Sequence, residues 1–586
     1  MDTKVFLDHI IDELARSHGE AHREDIRRGV YACHRVFSGT DRDLHRFCRE
    51  QYVPPGEARE ALLRRIDRYH QAVAGGLQKM LKVVREGSDI ADHPFSPAEG
   101  ILGAFTPDSH LTEDYRRFNI AALVQLNFGT DDTTPPETRS GWAARRIGEI
   151  GRETIPAELL QRLSERALEV DRFVNGYNLH LDRIDFGDPR IRFPENTRLI
   201  SHWGLRDYLV SLYGTPDALP RQRAILDLLR RVVDGEIPTE ILDNPDARWD
   251  MTRGTVTVGG ETKPARFHGP LRWEKFKAVF DVQREIDPYT RYGNMIDNAF
   301  LRDREIPEEE VVALLESILT HPLRRKVADW IERRLGRKLE PFDIYFADFE
   351  HGGGKTPLGY DLGRRYPDAK ALQAAIPGIL TRFGWSPERA AFIAGRIRVD
   401  NARSAGHAWP PHTDDDLQLL RVRIDPGGIT ELDFSTFMHE LGHCVEGVLS
   451  SYELDWKALW SVPTPAFTEG FAFTFQNRTD EILGRTPQSH REATALHEFW
   501  KTYEIGGVAM MEIRLFHWLY EYPDADAEAI HRAARKIADE VWGEYFAEIF
   551  GEESWGLPGV YSHILWCTFY LPEYPLGHII AYQIRK

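Results

Sequence analysis

The pentapeptide His439-Glu440-Leu441-Gly442-His443 constrains this chain more than any other feature, because it predicts both a helix and a metal site. On an α-helix, positions i and i+4 lie nearly one above the other, so the two imidazoles can bind the same ion. Glu440 is then placed to take a proton from water beside that ion. Apolar residues at 437, 438, 441, 445, 448 and 449 are typical of a buried helix, which Asp433 or Ser435 is expected to cap. The alternative is a core helix whose histidines only form hydrogen bonds.

Glu469 is the predicted third ligand of the ion. It follows Thr464 and Pro465, which are suited to the start of a second helix, and its neighbours are apolar or small. A buried carboxylate without a compensating charge is costly, and a metal ion would supply that charge. A third histidine at position 449 would indicate a different class of zinc site, but that residue is Leu. The alternative is a buried carboxylate paired with Arg or Lys. Two histidines and a glutamate suit catalytic zinc, so the predicted ligands of one Zn²⁺ per chain are His439, His443 and Glu469.

The sequence around these residues resembles the thimet oligopeptidase and oligoendopeptidase F family. The stretch Glu-Leu-Asp-Phe-Ser-Thr-Phe-Met-His-Glu-Leu-Gly-His at 431–443 carries the resemblance. Its Asp-Phe-Ser-Thr part is also similar to the related angiotensin-converting enzyme. Upstream, 399–409 resembles the family's strand beside the bound peptide, and downstream 561–577 resembles its segment of active-site His and Tyr residues. The resemblance covers about residues 340–586.

The chain departs from the related enzymes at Phe473, where the converting enzyme carries an Asp that supports a zinc histidine. A metal-binding histidine usually donates its second ring nitrogen to such a partner. Asp433 and Glu446 are the candidates for that role in this chain.

The resemblance implies a mainly α-helical fold with two lobes, a deep central channel and a small β-sheet next to the zinc helix. It also implies a zinc metalloendopeptidase that hydrolyses short, unfolded oligopeptides, with Glu440 as general base. By resemblance, the further catalytic residues are His563, Tyr570 and Tyr574, and the substrate-binding residues are Gly406, His407 and Ala408.

Hydrophobic patterns predict helices along most of the chain. Residues 1–340 are expected to form a helical N-terminal half, one wall of the channel, and residues 341–586 the catalytic half. A hairpin is predicted at 253–263 and a short sheet at 399–409 and 417–424. Further helices are predicted at about 2–17, 22–37, 56–86, 112–126, 156–176, 219–234, 272–283, 288–301, 306–336, 367–383, 386–397, 487–521 and 525–550.

The segment 338–364 is the predicted boundary between the halves, because prolines and the glycine run at 352–354 favour a loop. Lys355 and Thr356 follow that run, as in a phosphate-binding P-loop. The first glycine of such a motif would fall at Phe349, so a flexible loop is favoured over a P-loop. In an enzyme of the resembled family, this glycine loop could cover the substrate cleft.

Composition limits the kinds of molecule that the chain is expected to bind and the compartment in which it is expected to reside. The net charge of −18 argues against nucleic-acid binding and mildly favours neutral or cationic peptides, but an acidic surface that only serves solubility is the favoured explanation. Four scattered cysteines suggest reduced thiols, and no apolar run predicts a membrane span or a signal peptide, so cytoplasmic residence is expected. The exopeptidase motif of zinc aminopeptidases does not occur. A carboxypeptidase or dipeptidase on the same fold, or an inactive peptide-binding scaffold, stays open, as does the oligomeric state.

Overall fold

The predicted mainly α-helical fold is confirmed by the computed structural model, in which helices dominate and strands are few and short. The glycine run at 352–354 lies outside the described residues. The structure describes residues 2–93, 102–129, 135–200, 202–349, 359–404, 406–460, 464–484, 490–551 and 553–585.

The helices before residue 340 lie close to where the sequence predicts them, with additional ones at 41–51, 139–148 and 203–211. Their bounds are Thr3–His18, Arg23–Val36, Asp41–Gln51, Glu57–Asp89, Leu111–Arg117, Ile120–Phe128, Arg139–Gly148, Ala157–Gly176, Trp203–Ser211, Ala218–Asp234, Leu271–Ile286, Met295–Asp297, Glu308–Leu319 and Leu323–Leu335.

The helices after residue 340 include the two that carry the predicted metal ligands. Their bounds are Gly359–Arg365, Ala369–Arg382, Pro387–Ala394, Glu431–Glu453, Pro465–Gln476, Thr479–Ile482, His490–Glu521, Ala527–Tyr545, Ala547–Phe550 and Glu573–Arg585.

Three predicted helices are interrupted. The one at 112–126 breaks at Asn119, which has a φ of 58°. The one at 306–336 breaks before Pro322, because proline cannot continue a helix without losing a backbone donor. The prediction for 288–301 was wrong: Gly293 turns the chain with a φ of 73°, and a π-helix follows at Asn298–Arg304. The spacing of apolar residues, from which the helices were predicted, does not reveal such turns.

The small sheets correct one prediction and confirm another. The predicted hairpin is present, with Thr255–Val258 paired to Glu261–Pro264. The predicted single strand at 399–409 is two strands, Ile397–Asn401 and Gly406–Trp409, because the chain turns between them to reach opposite sides of Gln418–Val422. That central strand is parallel to the first and antiparallel to the second, so Gly406–Trp409 lies at the edge of the sheet. The remaining strands are Asn178–His180, Ile184–Asp185, Arg198–Ile200 and Arg248–Asp250.

Three helices stack beside this sheet, and we name them by their contents: the metal helix (Glu431–Glu453), the Glu469 helix (Pro465–Gln476) and the tyrosine helix (Glu573–Arg585). Glycines allow them to approach closely. A Cβ on Gly442 would lie 2.6 Å from Cα of Ala472, and a Cβ on Gly577 would lie 2.8 Å from Cβ of Glu469. The stack therefore fixes Glu469 between its two neighbours.

The hydrophobic core has one large cluster and several smaller ones. The large cluster contains residues between Val170 and Leu576, so it draws on both sides of position 340. A second cluster surrounds the metal helix, and a third joins the N-terminal helices. The division at 340/341 stays a prediction. In the described part of the chain, no helix has the length and apolar character needed to cross a membrane.

Candidate metal centre

The metal helix begins one turn earlier than its sequence suggested. Thr430 is the N-cap, and its hydroxyl oxygen accepts a hydrogen bond from the backbone N–H of Asp433 at 3.1 Å. Asp433 in turn accepts from the Thr430 hydroxyl. Neither Asp433 nor Ser435 is the cap, because this reciprocal pairing satisfies the exposed backbone donors better at Thr430. The apolar face expected of the helix is buried, including Phe437, Met438 and Leu441.

The three predicted ligands converge. Nε2 of His439 lies 3.2 Å from Nε2 of His443. The Glu469 oxygens lie 3.4 Å from the first imidazole and 3.6 Å from the second. One ligand atom from each residue can be chosen so that all three lie within 4.8 Å of one another. This spacing suits a single ion at ordinary zinc–nitrogen and zinc–oxygen distances.

The environment of Glu469 fits a cation. The side chain is buried, and its Oε2 atom has no hydrogen-bond partner. Among the described residues, no Lys or Arg pairs with it, which removes the alternative of an ordinary buried ion pair. Burial raises the pKa of Glu469, but His443, His439 and the hydroxyl of Tyr570 outweigh burial and bring the pKa to about 2. The carboxylate therefore stays charged and ready to bind a metal.

Gln476 supports the first histidine, a role that the sequence assigned to other residues. Nδ1 of His439 lies 3.1 Å from Oε1 of Gln476, whose amide donates to Ser435 at 3.2 Å. The candidate Asp433 is instead hydrogen-bonded to the N-cap residue Thr430, and Glu446 is hydrogen-bonded within its own helix to Ser450. An amide oxygen can accept from the imidazole N–H, which leaves Nε2 free for a metal.

Glu440 faces the same centre. The side chain is buried between the metal helix and the edge strand Gly406–Trp409, and burial raises its pKa to about 7. A Cβ on Gly406 would lie 2.7 Å from Thr436 and 3.5 Å from Cγ of Glu440. Only glycine lets the edge strand lie this close to the metal helix, so the strand and the carboxylate border the same space.

Asp89, at the end of the long helix Glu57–Asp89, also holds the edge strand in place. Its carboxylate accepts from the Trp409 indole at 3.1 Å, lies 3.4 Å from Nε2 of His407 and pairs with Arg421. Gly406, His407 and Ala408 pair with the central strand through one edge. In the described part of the chain, their other edge has no partner strand.

The two tyrosines have different partners. The Tyr570 hydroxyl donates to Oε1 of Glu469 at 2.6 Å, whereas the Tyr574 hydroxyl lies 3.1 Å from Nε2 of His563. Burial, with the nearby charge of Glu469, raises the pKa of both phenols well above the usual value, so both remain protonated. Burial lowers the pKa of His563 to about 4, which keeps its imidazole neutral.

Arg304 and two glutamates hold the tyrosine segment, residues 567–574, and none of the three was predicted from the sequence. Arg304, on the π-helix, pairs with Glu573 at 2.9 Å and donates to the carbonyl of Phe569. Glu512 accepts from the backbone N–H of Leu571 at 2.9 Å. Burial raises the pKa of Glu512 to about 8 and that of Glu573 to about 7. These contacts lie under a stretch in which Cys567 and Phe569 both have a φ of 54°.

One cavity of about 1840 Å³ joins these groups. It is lined by every residue predicted to bind the metal, act in catalysis or bind the substrate: His439, Glu440, His443, Glu469, Gly406, His407, Ala408, His563, Tyr570 and Tyr574. Small-molecule pockets are about 300–1,000 Å³, so this channel is larger than a small ligand needs.

No protein-family model matches the sequence, and no curated protein matches it either. In overall structure the chain is similar to an X-ray structure provisionally assigned as oligoendopeptidase F, with 16% identity and a TM-score of 0.48 over 99% of this chain and 86% of that chain. A second such structure, from Bacillus anthracis str. Ames, has 12% identity and a TM-score of 0.43 over 99% and 85%. A Pyrococcus furiosus carboxypeptidase has 13% identity and a TM-score of 0.33 over 91% and 86%.

Likeness at this level carries no argument about function, so the function has to be argued from the site itself.

Proposed function

We propose that this protein is a zinc metallopeptidase of the thimet oligopeptidase and oligoendopeptidase F type, which hydrolyses peptide bonds in short, unfolded oligopeptides. The observation that carries the proposal is the convergence of His439, His443 and Glu469 beside Glu440 in a large channel. The unpaired, buried oxygen of Glu469 favours a bound cation over a purely structural cluster.

Zinc at these ligands supplies Lewis-acid chemistry: it polarises a carbonyl and lowers the pKa of water towards about 7. Glu440 takes the proton from the attacking water and later delivers it to the leaving amine. Its position supports this role, because it follows the first ligand on the metal helix and faces the channel. Gln476 holds Nδ1 of His439 by a hydrogen bond, so that Nε2 of this histidine would be free to bind the ion.

Tyr574 and His563 are assigned to stabilise the oxyanion that develops on the scissile carbonyl. Tyr570 is less suited, because its hydroxyl hydrogen is engaged by Glu469. If the imidazole of His563 donates through Nε2 to the Tyr574 oxygen, the phenol hydrogen of Tyr574 stays available for the substrate. Tyr570 then acts by orienting a metal ligand.

The edge strand Gly406–Trp409 is assigned to bind the substrate backbone. Its free edge can add an extended peptide as one more strand, through hydrogen bonds that do not depend on sequence. Gly406 of this strand lies against the side chain of Glu440, so a peptide that paired with the free edge would lie near the proposed base. Folded proteins do not present an isolated extended strand, so short unfolded peptides are the expected substrates.

The test begins with metal content. Protein loaded with zinc and then dialysed is expected to hold one zinc ion per chain, and Glu469→Gln is expected to hold far less, as measured by mass spectrometry. Glu440→Gln should keep the zinc and lose most peptide hydrolysis, because an amide cannot accept a proton from water. Glu446→Gln is a matched control on the same helix and in the same channel, and it should keep both.

Products of a mixed peptide library distinguish the forms of the proposal. Internal cleavage of peptides of about 5–20 residues indicates an oligopeptidase that works on extended chains. Release of only one or two C-terminal residues indicates a carboxypeptidase or dipeptidase. Zinc binding without any hydrolysis would leave a peptide-binding scaffold, and full turnover by Glu440→Gln would remove Glu440 from the role of base.

A further inference from the structure

The channel is lined by more carboxylates than cations. Its lining includes seven aspartates and six glutamates, against five arginines and one lysine. Many of these carboxylates have a partner; Asp243, for example, pairs with Arg198 at 2.7 Å. A lining carboxylate with no paired cation is therefore informative about what the channel binds.

Asp171 is such a carboxylate. It lies on the helix Ala157–Gly176, is half-buried and lines the channel. One oxygen accepts a hydrogen bond from the indole N–H of Trp566. Among the described residues, no Lys, Arg or His lies within ion-pair distance of it. Burial raises the pKa of Asp171, as expected for a carboxylate that lacks a cation.

Arg85 is the cation whose charge acts most strongly on Asp171, but it does not pair with that carboxylate. Arg85 is close enough to lower the pKa of Asp171, but its guanidinium donates to the carbonyl of Gly103 and to Ser164, and it lies 5.7 Å from the ring centre of Trp409. The neighbouring carboxylate Asp89 is occupied by Arg421 and by the edge strand. Of these two neighbouring carboxylates, Asp171 is the one that faces the channel without a paired cation among the described residues.

Aromatic rings border this carboxylate and connect it to the catalytic groups. The rings of Trp203 and Trp566 are 6.1 Å apart at 34°, and both line the channel. Trp203 also meets the ring of His563 at 5.0 Å, edge to face. Trp566 and His563 lie on the same short helix, Ser562–Trp566. Asp171 and these two tryptophans therefore lie next to His563, which is proposed to stabilise the oxyanion.

We propose that Asp171, Trp203 and Trp566 form a subsite for an organic cation of the peptide substrate, either an Arg or Lys side chain or the N-terminal ammonium. This inference rests on the proposed function and names the preferred substrates: basic oligopeptides. The carboxylate supplies the charge, and the indole faces attract a cation through their π-systems. The partial exclusion of water strengthens both interactions.

The test measures binding, so that it does not depend on turnover. Zinc-loaded Glu440→Gln protein is titrated calorimetrically with peptides that differ only in one residue, Arg or its neutral isostere citrulline, moved through each position. At one position, the Arg peptide is expected to bind about tenfold tighter or more, the range for a hydrogen-bonded charge. Adding Asp171→Asn should reduce that ratio to near one and leave the citrulline peptide unchanged, because asparagine still accepts from Trp566.

Two controls accompany this variant. Asp243→Asn removes another channel carboxylate, but one already paired with Arg198, and should keep the Arg preference. Trp203→Leu removes an aromatic wall and should weaken the Arg peptide more than the citrulline peptide. If N-terminal acetylation, and not any Arg position, abolishes the effect of Asp171, the bound cation is the terminal ammonium.

An unchanged Arg preference in Asp171→Asn, or an equal loss for both peptides, would overturn the subsite. Turnover of the same peptides by the wild-type protein is measured in parallel. If the protein prefers the Arg peptide in binding but hydrolyses neither peptide, the subsite is supported and the proposed peptidase activity is contradicted. If it hydrolyses both peptides but shows no preference for Arg, the peptidase activity is supported and the subsite is contradicted.

Discussion

The helices that carry the predicted metal ligands and the segment that carries the tyrosines meet at Glu469, yet different forces hold them in place. The metal, Glu469 and tyrosine helices approach through glycine contacts, at Gly442 and Gly577. The segment 567–574 is instead fixed by the buried pair Arg304–Glu573 and by the buried carboxyl group of Glu512, and it contains two non-glycine residues of positive φ. Close packing sets the position of the ligands, and buried polar groups set the position of the tyrosines.

The difference has consequences for tolerance to change. Adding volume at a closely packed glycine lowers the free energy of unfolding by about 1–3 kcal/mol. Removing one partner of a buried ion pair lowers the free energy of unfolding by about 3–5 kcal/mol, because the remaining charge is left without compensation. The tyrosine segment should therefore be the more fragile of the two regions.

Arg304→Met should give the largest effect. It leaves Glu573 buried without its cation, so the free energy of unfolding should fall by about 3–5 kcal/mol in urea titrations. Glu573→Gln should also destabilise, since Arg304 then lacks its anion. The double variant should be less destabilised than the sum of the two single ones. If all three unfold like the wild type, the ion pair does not hold this segment.

Tyr574→Phe should lower kcat by about 10²-fold or more with little change in KM, the size typical of deleting one oxyanion donor. Tyr570→Phe should instead weaken zinc binding, because its hydroxyl donates to Glu469. Steady-state kinetics and zinc titrations of both variants separate the two roles. Full activity with only a loss of melting temperature in both would mean that the rings serve packing alone.

Gly577→Ala should have the smallest effect of the three, about 1–3 kcal/mol, and should also weaken zinc binding. The added methyl group would lie 2.8 Å from Cβ of Glu469 and would displace that ligand. Gly543→Ala is the matched control, since a Cβ at this exposed position of the helix Ala527–Tyr545 meets nothing within 4 Å, and it should stabilise the protein by about 0.5–1 kcal/mol. Equal responses to the two substitutions would show that close packing does not position Glu469.

The two regions also differ in how far the sequence predicts them. His439 and His443 could be identified because helical geometry turns a spacing of four residues into proximity. Gln476 was missed, although it follows Glu469 by seven residues and therefore shares its helix face. Arg304 could not be found, because its bond to Phe569 joins residues 265 positions apart and no periodic pattern connects them. Local spacing predicted the ligands, but only the folded chain shows what holds the tyrosines.

The bond between Tyr570 and Glu469 also orders events during synthesis. The two residues are 101 positions apart, and at roughly 5–20 residues per second the ribosome adds the tyrosine about 5–20 s after the glutamate. All three predicted metal ligands thus exist in the nascent chain before the tyrosine that orients one of them and before the glycine that packs against it. A growing chain can meet a metal ion in this interval, whereas a complete reaction centre has to wait for the later helix.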